Sequence, residues 1–322
     1  MKGEDVSLTV FRFNPEKDKE PHYEEYTIET RKGMTILDGL RKIKDEIDGS
    51  LSLRYSCSSA ICGSCSMKIN RYSKLACKTQ IADQMKLHGK ILVEPMANLG
   101  SVKDLIVDMG PFWNHWNNLK PWLIKDPNKP EPTQEHAMTR DQVKAFGNTP
   151  SCVTCSACFS ECPAYEVDHN FPGPAALSRL YRFSIDPRDA AHKERLEMAG
   201  SIDTWLCVRC GLCVEACPKD VKPGEMITLL KEMSIKEGQV QNIGAHHAES
   251  FRENIEQFGN LNEGKLVFDT MGLIGALKKS PDAVKLLLRG KKVDKLLGDL
   301  KQKPIPAIEQ VKQIYREMVK KK

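Results

Sequence analysis

Twelve cysteines, all between Cys57 and Cys217, are the residues of this chain best suited to chemistry. Eight fall into two copies of one spelling, Cys152-x2-Cys155-x2-Cys158-x3-Cys162-Pro163 and Cys207-x2-Cys210-x2-Cys213-x3-Cys217-Pro218. Three thiolates spaced by two residues can wrap one face of a cubane [4Fe–4S] cluster from a single tight loop. In chains with two such runs, the fourth Cys of each serves the other cluster. The spacing therefore predicts one [4Fe–4S] cluster on Cys152, Cys155, Cys158 and Cys217, and a second on Cys162, Cys207, Cys210 and Cys213. Each terminal proline bars helix continuation and helps send the chain away. Crossed wiring clamps two distant segments, so cluster assembly is expected to be part of folding.

The other four cysteines read Cys57-x4-Cys62-x2-Cys65, with eleven residues before Cys77. That is the plant-type [2Fe–2S] spacing. Gly63 allows backbone to approach a cluster closely, and loop amides there can donate hydrogen bonds to sulfur. Zinc more often uses two separated Cys-x2-Cys pairs, and disulfides suit small secreted domains rather than a long lysine-rich chain. The iron–sulfur reading is preferred throughout. No side chain is assigned a catalytic role, because one-electron chemistry belongs to such cofactors and not to the chain.

The elements that must position these thiols can be read in part. Val6, Leu8 and Val10 alternate with polar residues as in a half-buried strand, and Tyr26 and Ile28 suggest its hairpin partner. Ile36, Leu37, Leu40, Ile43 and Ile47 recur at helical spacing behind Thr35, a suitable N-cap, with Gly49 marking the end. Ile91, Val93 and Met96 are expected to return as a closing strand. Two strands and one amphipathic helix begin a ubiquitin-like grasp. From about Gly110 to Pro150, Phe112, Trp113, Trp116, Trp122 and several prolines predict a rigid, extended connector whose aromatics pack the domains together. The fold class expected is α+β: a β-grasp ferredoxin domain over 1–108, a linker over 109–150, an all-α two-cluster domain over 151–238, and a basic helical extension over 239–322.

A length of 322 residues is consistent with about two domains. The formal charge of +5 is unevenly placed: Met271–Lys322 holds 14 Lys/Arg and 5 Asp/Glu, or +9, leaving −4 elsewhere. A basic tail suits an acidic partner, an anionic membrane or simply a solvated helical surface. Leu286, Leu287, Leu288, Leu296, Leu297 and Leu300 lie among lysines in an amphipathic pattern. Lys285, Arg289, Lys291, Lys292 and Lys295 are the candidates for docking, and no nucleic-acid partner is expected. His246 and His247 read as a surface pair at a helix start. No signal peptide and no membrane-spanning stretch is recognisable, so the chain is expected to be soluble or peripheral.

Taken together, these features resemble the iron–sulfur subunit of succinate dehydrogenase and fumarate reductase. Arg54-Tyr55-Ser56-Cys57 and Cys62-Gly63-Ser64-Cys65 resemble that family's first cluster loop. Gly173-Pro174-Ala175-Ala176-Leu177 and Arg182-Phe183-Ser184-Ile185-Asp186-Pro187-Arg188-Asp189 resemble its segment between the two Cys runs. The resemblance, which covers roughly residues 5–238, implies an electron wire from a FAD-containing flavoprotein subunit, through [2Fe–2S] and two further clusters, to a membrane-side partner and indirectly to the quinone pool. It implies a peripheral place at a membrane, on the cytoplasmic face.

Two departures bear on the exit. Most of that family lacks a cysteine at the position of Cys210 and holds [3Fe–4S] there, whereas this chain supplies a fourth thiolate. The family's Ser, Trp and His at its quinone site correspond here to Ala164, Val167 and Val208, none of which has a side chain able to hydrogen-bond a quinone oxygen. The chain also runs about 84 residues past Gly238, where the common subunit stops. His246-His247-Ala248-Glu249-Ser250-Phe251, Gly259-Asn260-Leu261-Asn262-Glu263 and the basic stretch resemble the C-terminal part of the two-cubane subunit of heterodisulfide reductase. This second resemblance implies a cysteine-rich (CCG-domain) or membrane-anchor partner, as in the non-classical, E-type, methylmenaquinol:fumarate reductase-like complexes. Alternatives are a heterodisulfide reductase-like or glycolate/glycerol-3-phosphate-oxidising complex, and a free ferredoxin-like carrier. The plant-type cluster domain argues against the first pair, and the linker and tail argue against a lone carrier.

Overall fold

A computed structural model describes residues 4–130, 133–278 and 303–320, together with 281 and 285. The chain forms two compact units, Met1–Ala199 with Leu206–Met233, and Gly200–Trp205 with Ser234–Lys322. Both strands and helices are present, as expected for α+β.

The first unit begins with strands β1 (Asp5–Arg12) and β2 (His22–Glu29), paired antiparallel with Leu8 opposite Tyr26. Val6, Leu8 and Val10 point inward, as their alternation requires. Helix α1 (Ile36–Lys42) follows. The Thr35 hydroxyl accepts from the Asp38 amide while the Asp38 carboxylate accepts from the Thr35 amide, a capping box that satisfies two orphan donors. A wider helical turn, Ile43–Ile47, carries the helix on to Asp48. Next come β3 (Ser66–Ile69), β4 (Tyr72–Leu75), α2 (Ile81–His88) and β5 (Ile91–Glu94). Strand β5 inserts parallel to β1, giving the order β2-β1-β5-β3-β4. Met96 lies just past the strand predicted to contain it. Leu8, Ile36, Leu40, Ile43, Ile69 and Val93 share the core beneath the sheet.

Arg12, at the inner end of β1, is buried among the carboxylates of Asp104, Asp48 and Glu24. The other Asp104 oxygen accepts from the Ser52 amide at 2.8 Å, so this charge cluster fixes the chain leading into Cys57. Leaving such an arginine unpaired would be strongly destabilising. A small hairpin, β6 (Ser101–Lys103) with β7 (Ile106–Val107), completes this part.

The connector departs from the extended form expected. It opens as helix α3 (Gly110–Asn118), with Pro111 in the first turn, where a missing amide proton costs nothing. Phe112 and Trp116 lie one turn apart and are buried, and Phe112 meets Phe159 edge-on at 5.7 Å. Beyond Asn118 the described residues are irregular until α4 (Arg140–Ala145). Arg195 pins the irregular part: 1% exposed, it donates to the carbonyls of Lys120 (2.9 Å) and Trp122 (2.8 Å) and pairs with Asp189.

The remaining helices of the first unit are α5 (Ala157–Ser160), α6 (Pro163–Val167), α7 (Pro174–Ser184), α8 (His192–Ala199), α10 (Leu212–Glu215) and most of α11 (Pro223–Lys236). They share a second core of Phe159, Phe171, Leu177, Leu180, Leu196, Ile227 and Leu230. The second unit contains α9 (Ile202–Trp205), α12 (Ile243–Phe258), α13 (Glu263–Lys278) and α14 (Ile308–Lys320). Asn242 caps α12, and His246 and His247 lie exposed in its first turns, as the sequence indicated. The leucine-rich pattern from Leu286 to Leu300, with Arg289, Lys291, Lys292 and Lys295, lies outside the described residues.

The paired carboxylates predict an acid response. Burial alone would raise the Asp189 pKa, but hydrogen bonds from Arg195 and from the Ile124 and Ala191 amides outweigh it and lower the value. Arg188 and Arg182 do the same for Asp186. A depressed carboxylate pKa stabilises the fold fully above the unfolded value of about 4, and that stability is lost as pH falls through the folded value. Urea titrations taken down to about pH 3 should show this loss, with a shallower slope in Asp189→Asn, which is already weaker at neutral pH.

Candidate iron–sulfur centres

The plant-type loop is built on alternating backbone handedness. Ser58 (φ 52°), Ala60 (φ 56°) and Gly63 (φ 76°) are left-handed, and this folds the amides inward. Ser59, Ile61 and Cys62 donate their N–H to Cys57 Sγ at 3.4, 3.3 and 3.3 Å, and Ala60 donates to Cys77 Sγ at 3.2 Å. Cys65 and Cys77 flank the open end of the β3–β4 hairpin, where Ser66 faces Leu75 and the Ala76 amide donates to the Cys65 carbonyl at 3.0 Å. The hairpin register therefore brings together two thiols twelve positions apart. Hydrogen bonds from Ser64 and from backbone amides lower the Cys62 pKa to about 6, while burial pushes Cys65 up to about 12.

The two eleven-residue runs, Cys152–Cys162 and Cys207–Cys217, share left-handed backbone at matching positions. Thr154 (φ 51°) and Ser156 (φ 58°) flank Cys155; Arg209 (φ 57°) and Gly211 (φ 84°) flank Cys210. Each run then enters a four-residue helix, α5 or α10, that contains its third Cys, and leaves at Cys-Pro. The runs also cross. Cys152, Cys155, Cys158 and Cys217 line one cavity, and Cys162, Cys207, Cys210 and Cys213 line another of about 220 Å³. These are the two sets that the spacing predicted to share a site. Burial raises the Cys155 thiol to about 11 and Cys213 to about 12, and it raises Cys158 as well. Binding iron at these thiols would release their protons. Among the described residues, no three Cys, His, Asp or Glu side chains converge as closely as a single bound ion requires. Four thiols around each of two cavities are a donor set of the size a [4Fe–4S] cluster takes.

Contacts that no spacing rule could reveal fix the [2Fe–2S] loop against the first run. A Cβ on Gly63 would lie 2.8 Å from Cys155 Cβ and 2.9 Å from the Val153 carbonyl oxygen, so only glycine permits this approach. Nearby, the Glu161 carboxylate accepts from the Ser73 amide (2.8 Å) and hydroxyl (2.7 Å). The Asn98 side-chain amide donates to the carbonyls of Phe159 (2.9 Å) and Cys162 (3.0 Å). Buried Lys231 donates to the Cys207 carbonyl at 3.1 Å. Ala164 and Val208 line the cavity of the second set beside the exposed Cys210; Val208 is 70% exposed, and Val167, outside the cavity lining, is 87% exposed.

Comparison with known proteins agrees with this arrangement. A family described as "2Fe-2S iron-sulfur cluster binding domain" matches residues 7–114, and one described as "4Fe-4S dicluster domain" matches residues 149–221. A protein named "Fumarate reductase iron-sulfur subunit" from Mycobacterium tuberculosis is 38% identical over 227 residues, covering 70% of this chain and 91% of the relative. The chain belongs to the fumarate reductase iron–sulfur subunit family. A namesake from Haemophilus influenzae is 35% identical over 243 residues, covering 72% of this chain and 94% of its own length. A chain of the Mycobacterium smegmatis Sdh1 complex in the apo form has the same fold, with a TM-score of 0.66 at 24% identity over 73% of this chain and 97% of that one. For a member of this family, iron–sulfur, oxidoreductase and electron-transport chemistry is the shared theme. Among the described residues, no helix is long and apolar enough to cross a membrane.

Proposed function

We propose that this chain is the electron-transfer subunit of a succinate dehydrogenase/fumarate reductase complex of the non-classical kind, carrying one [2Fe–2S] and two [4Fe–4S] clusters. Cys57, Cys62, Cys65 and Cys77 hold the first. Cys152, Cys155, Cys158 and Cys217 hold the second, and Cys162, Cys207, Cys210 and Cys213 the third. When bound, the clusters accept and release single electrons; the chain spaces them, shields them and donates hydrogen bonds to their sulfurs. The proposed order of domains is the one read from the sequence, with ligand sets in 1–108 and 151–238, a connector between them and a basic extension over 239–322.

The observation that carries the non-classical reading is the matched backbone around Cys155 and Cys210. Cys210 moreover lines the same cavity as Cys162, Cys207 and Cys213, so a fourth thiol stands ready there. The apolar side chains of Ala164 and Val208 lining that cavity support an exit to a protein partner in preference to a hydrogen-bonded quinone. A FAD-containing flavoprotein is the proposed partner on the [2Fe–2S] side, and a CCG-domain or membrane-anchor subunit the proposed partner at the exit. The tail's resemblance to heterodisulfide reductase supports the second assignment, with the complex peripheral on the cytoplasmic face of the membrane.

Isolation of the complex from its native cell tests this reading. The chain should come with a flavin-bearing subunit and a cysteine-rich one. Isolation of the chain alone, with full cluster content and free exchange between unrelated electron donors, would favour a ferredoxin-like carrier instead.

A further inference from the structure

Helix α7 presents one charge that the fold leaves without a carboxylate. Arg182 on the same helix pairs with Asp186, and nearby Arg195 pairs with Asp189. Arg179, by contrast, makes no hydrogen bond and no ion pair among the described residues. Its guanidinium lies over the indole of buried Trp116, 5.3 Å from the ring centroid. It is half-buried, and its neighbours on either side, Ser178 and Leu180, are buried outright.

Its direction explains what it is for. Ala175, one turn earlier on α7, lines the cavity of Cys152, Cys155, Cys158 and Cys217. Residues four apart in a helix share a face, so Arg179 lies beside the same cavity. Were the Cys152 thiol ionised, it and the Arg179 guanidinium would each stabilise the other's charged form. Even a half-buried cation without a counter-charge carries a desolvation cost, and an indole beneath it offsets only part of that cost. Four thiolates around an iron–sulfur core leave net negative charge, which supplies the missing partner.

We infer that Arg179, held in place by Trp116 of the connector helix, is the residue that sets the reduction potential of the cluster on Cys152, Cys155, Cys158 and Cys217. Reduction adds one electron and one negative charge to that site, with no bond made or broken. A fixed positive charge beside it stabilises the reduced form more than the oxidised form and so raises the potential. No proton need accompany the electron, because a guanidinium keeps its own. The aromatic connector thereby gains a role beyond packing: it orients the charge.

This inference rests on the proposed ligand set, and its test separates the two. Iron and acid-labile sulfide are assayed on the full-length holoprotein, followed by a redox titration monitored by electron paramagnetic resonance. In Arg179→Gln, one of three midpoint potentials should fall while the other two hold, and the shift should not vary with pH. Arg179→Lys should retain most of the wild-type value. Arg179→Met keeps the buried stem and should fall like the Gln variant, which guards against a simple packing defect. Unchanged potentials in both neutral variants, at wild-type iron content, would overturn the role of Arg179. A wild-type protein lacking the iron of this cluster would instead overturn the ligand reading, and the inference with it.

Discussion

Replacing Cys210 with Ser or Val is expected to convert the exit-side cluster into a three-iron centre, giving the oxidised protein a [3Fe–4S] resonance that the wild type lacks. A cubane corner without a thiolate loses its iron readily. Cys162, Cys207 and Cys213 line the same cavity and supply the other three corners. Cys210 is the exposed member of the twelve, so the iron it holds is the one nearest solvent once the thiolate is gone. Losing a thiolate also removes negative charge, which raises the potential of what remains. The [2Fe–2S] signal should be unaffected, because its four ligands lie on the loop and hairpin of the β-grasp fold. A full three-iron signal in intact wild-type protein would show that Cys210 is no ligand, and the case for an unusual exit partner would lose its main support.

Gly63→Val should do comparable damage by a different route. The left-handed backbone (φ 76°) costs a β-branched residue about 1–2 kcal/mol, and a Cβ would meet Cys155 Cβ at 2.8 Å and the Val153 oxygen at 2.9 Å. Neither atom is the far end of a flexible side chain, so the two loops must separate, and overpacking of this kind adds about 1–3 kcal/mol. The expected result is a loss of about 2–5 kcal/mol in urea unfolding of the holoprotein, with weaker magnetic coupling and slower electron exchange between the [2Fe–2S] centre and its neighbour. Gly63→Ala should fall between Val and wild type. A Val variant with native stability and unchanged coupling would mean that the loops do not approach as closely as this packing requires.

What could be read from the chain alone follows from how local each signal is. Cysteine spacing is a local signal, so the proposed ligand sets could be named without a fold, and the structure brings each crossed set of four thiols to one cavity. The β1–β2 hairpin and α1 were legible too, because Val6, Leu8 and Val10 alternate over a full strand and Thr35 is followed three residues later by Asp38. The β3–β4 hairpin was not, since each strand has only four residues and the turn is Asn70-Arg71, both left-handed without a glycine to signal it. Helix α3 was hidden for another reason: Pro111 and the tryptophans suggest an extended linker, yet a proline in the first helical turn is no obstacle. Long-range contacts left no local trace at all. Nothing near Gly63 announces Cys155, and nothing near Arg195 announces the carbonyls of Lys120 and Trp122.

The central claim is that twelve thiols form three cluster sites in one electron-transfer subunit, and its most direct test is the metal content of the chain isolated without oxygen. Three full sites require about ten iron atoms, with acid-labile sulfide in equal number, per polypeptide. That ratio is the predicted result. Protein that is folded and stable but carries zinc, with neither iron nor labile sulfide, would contradict it.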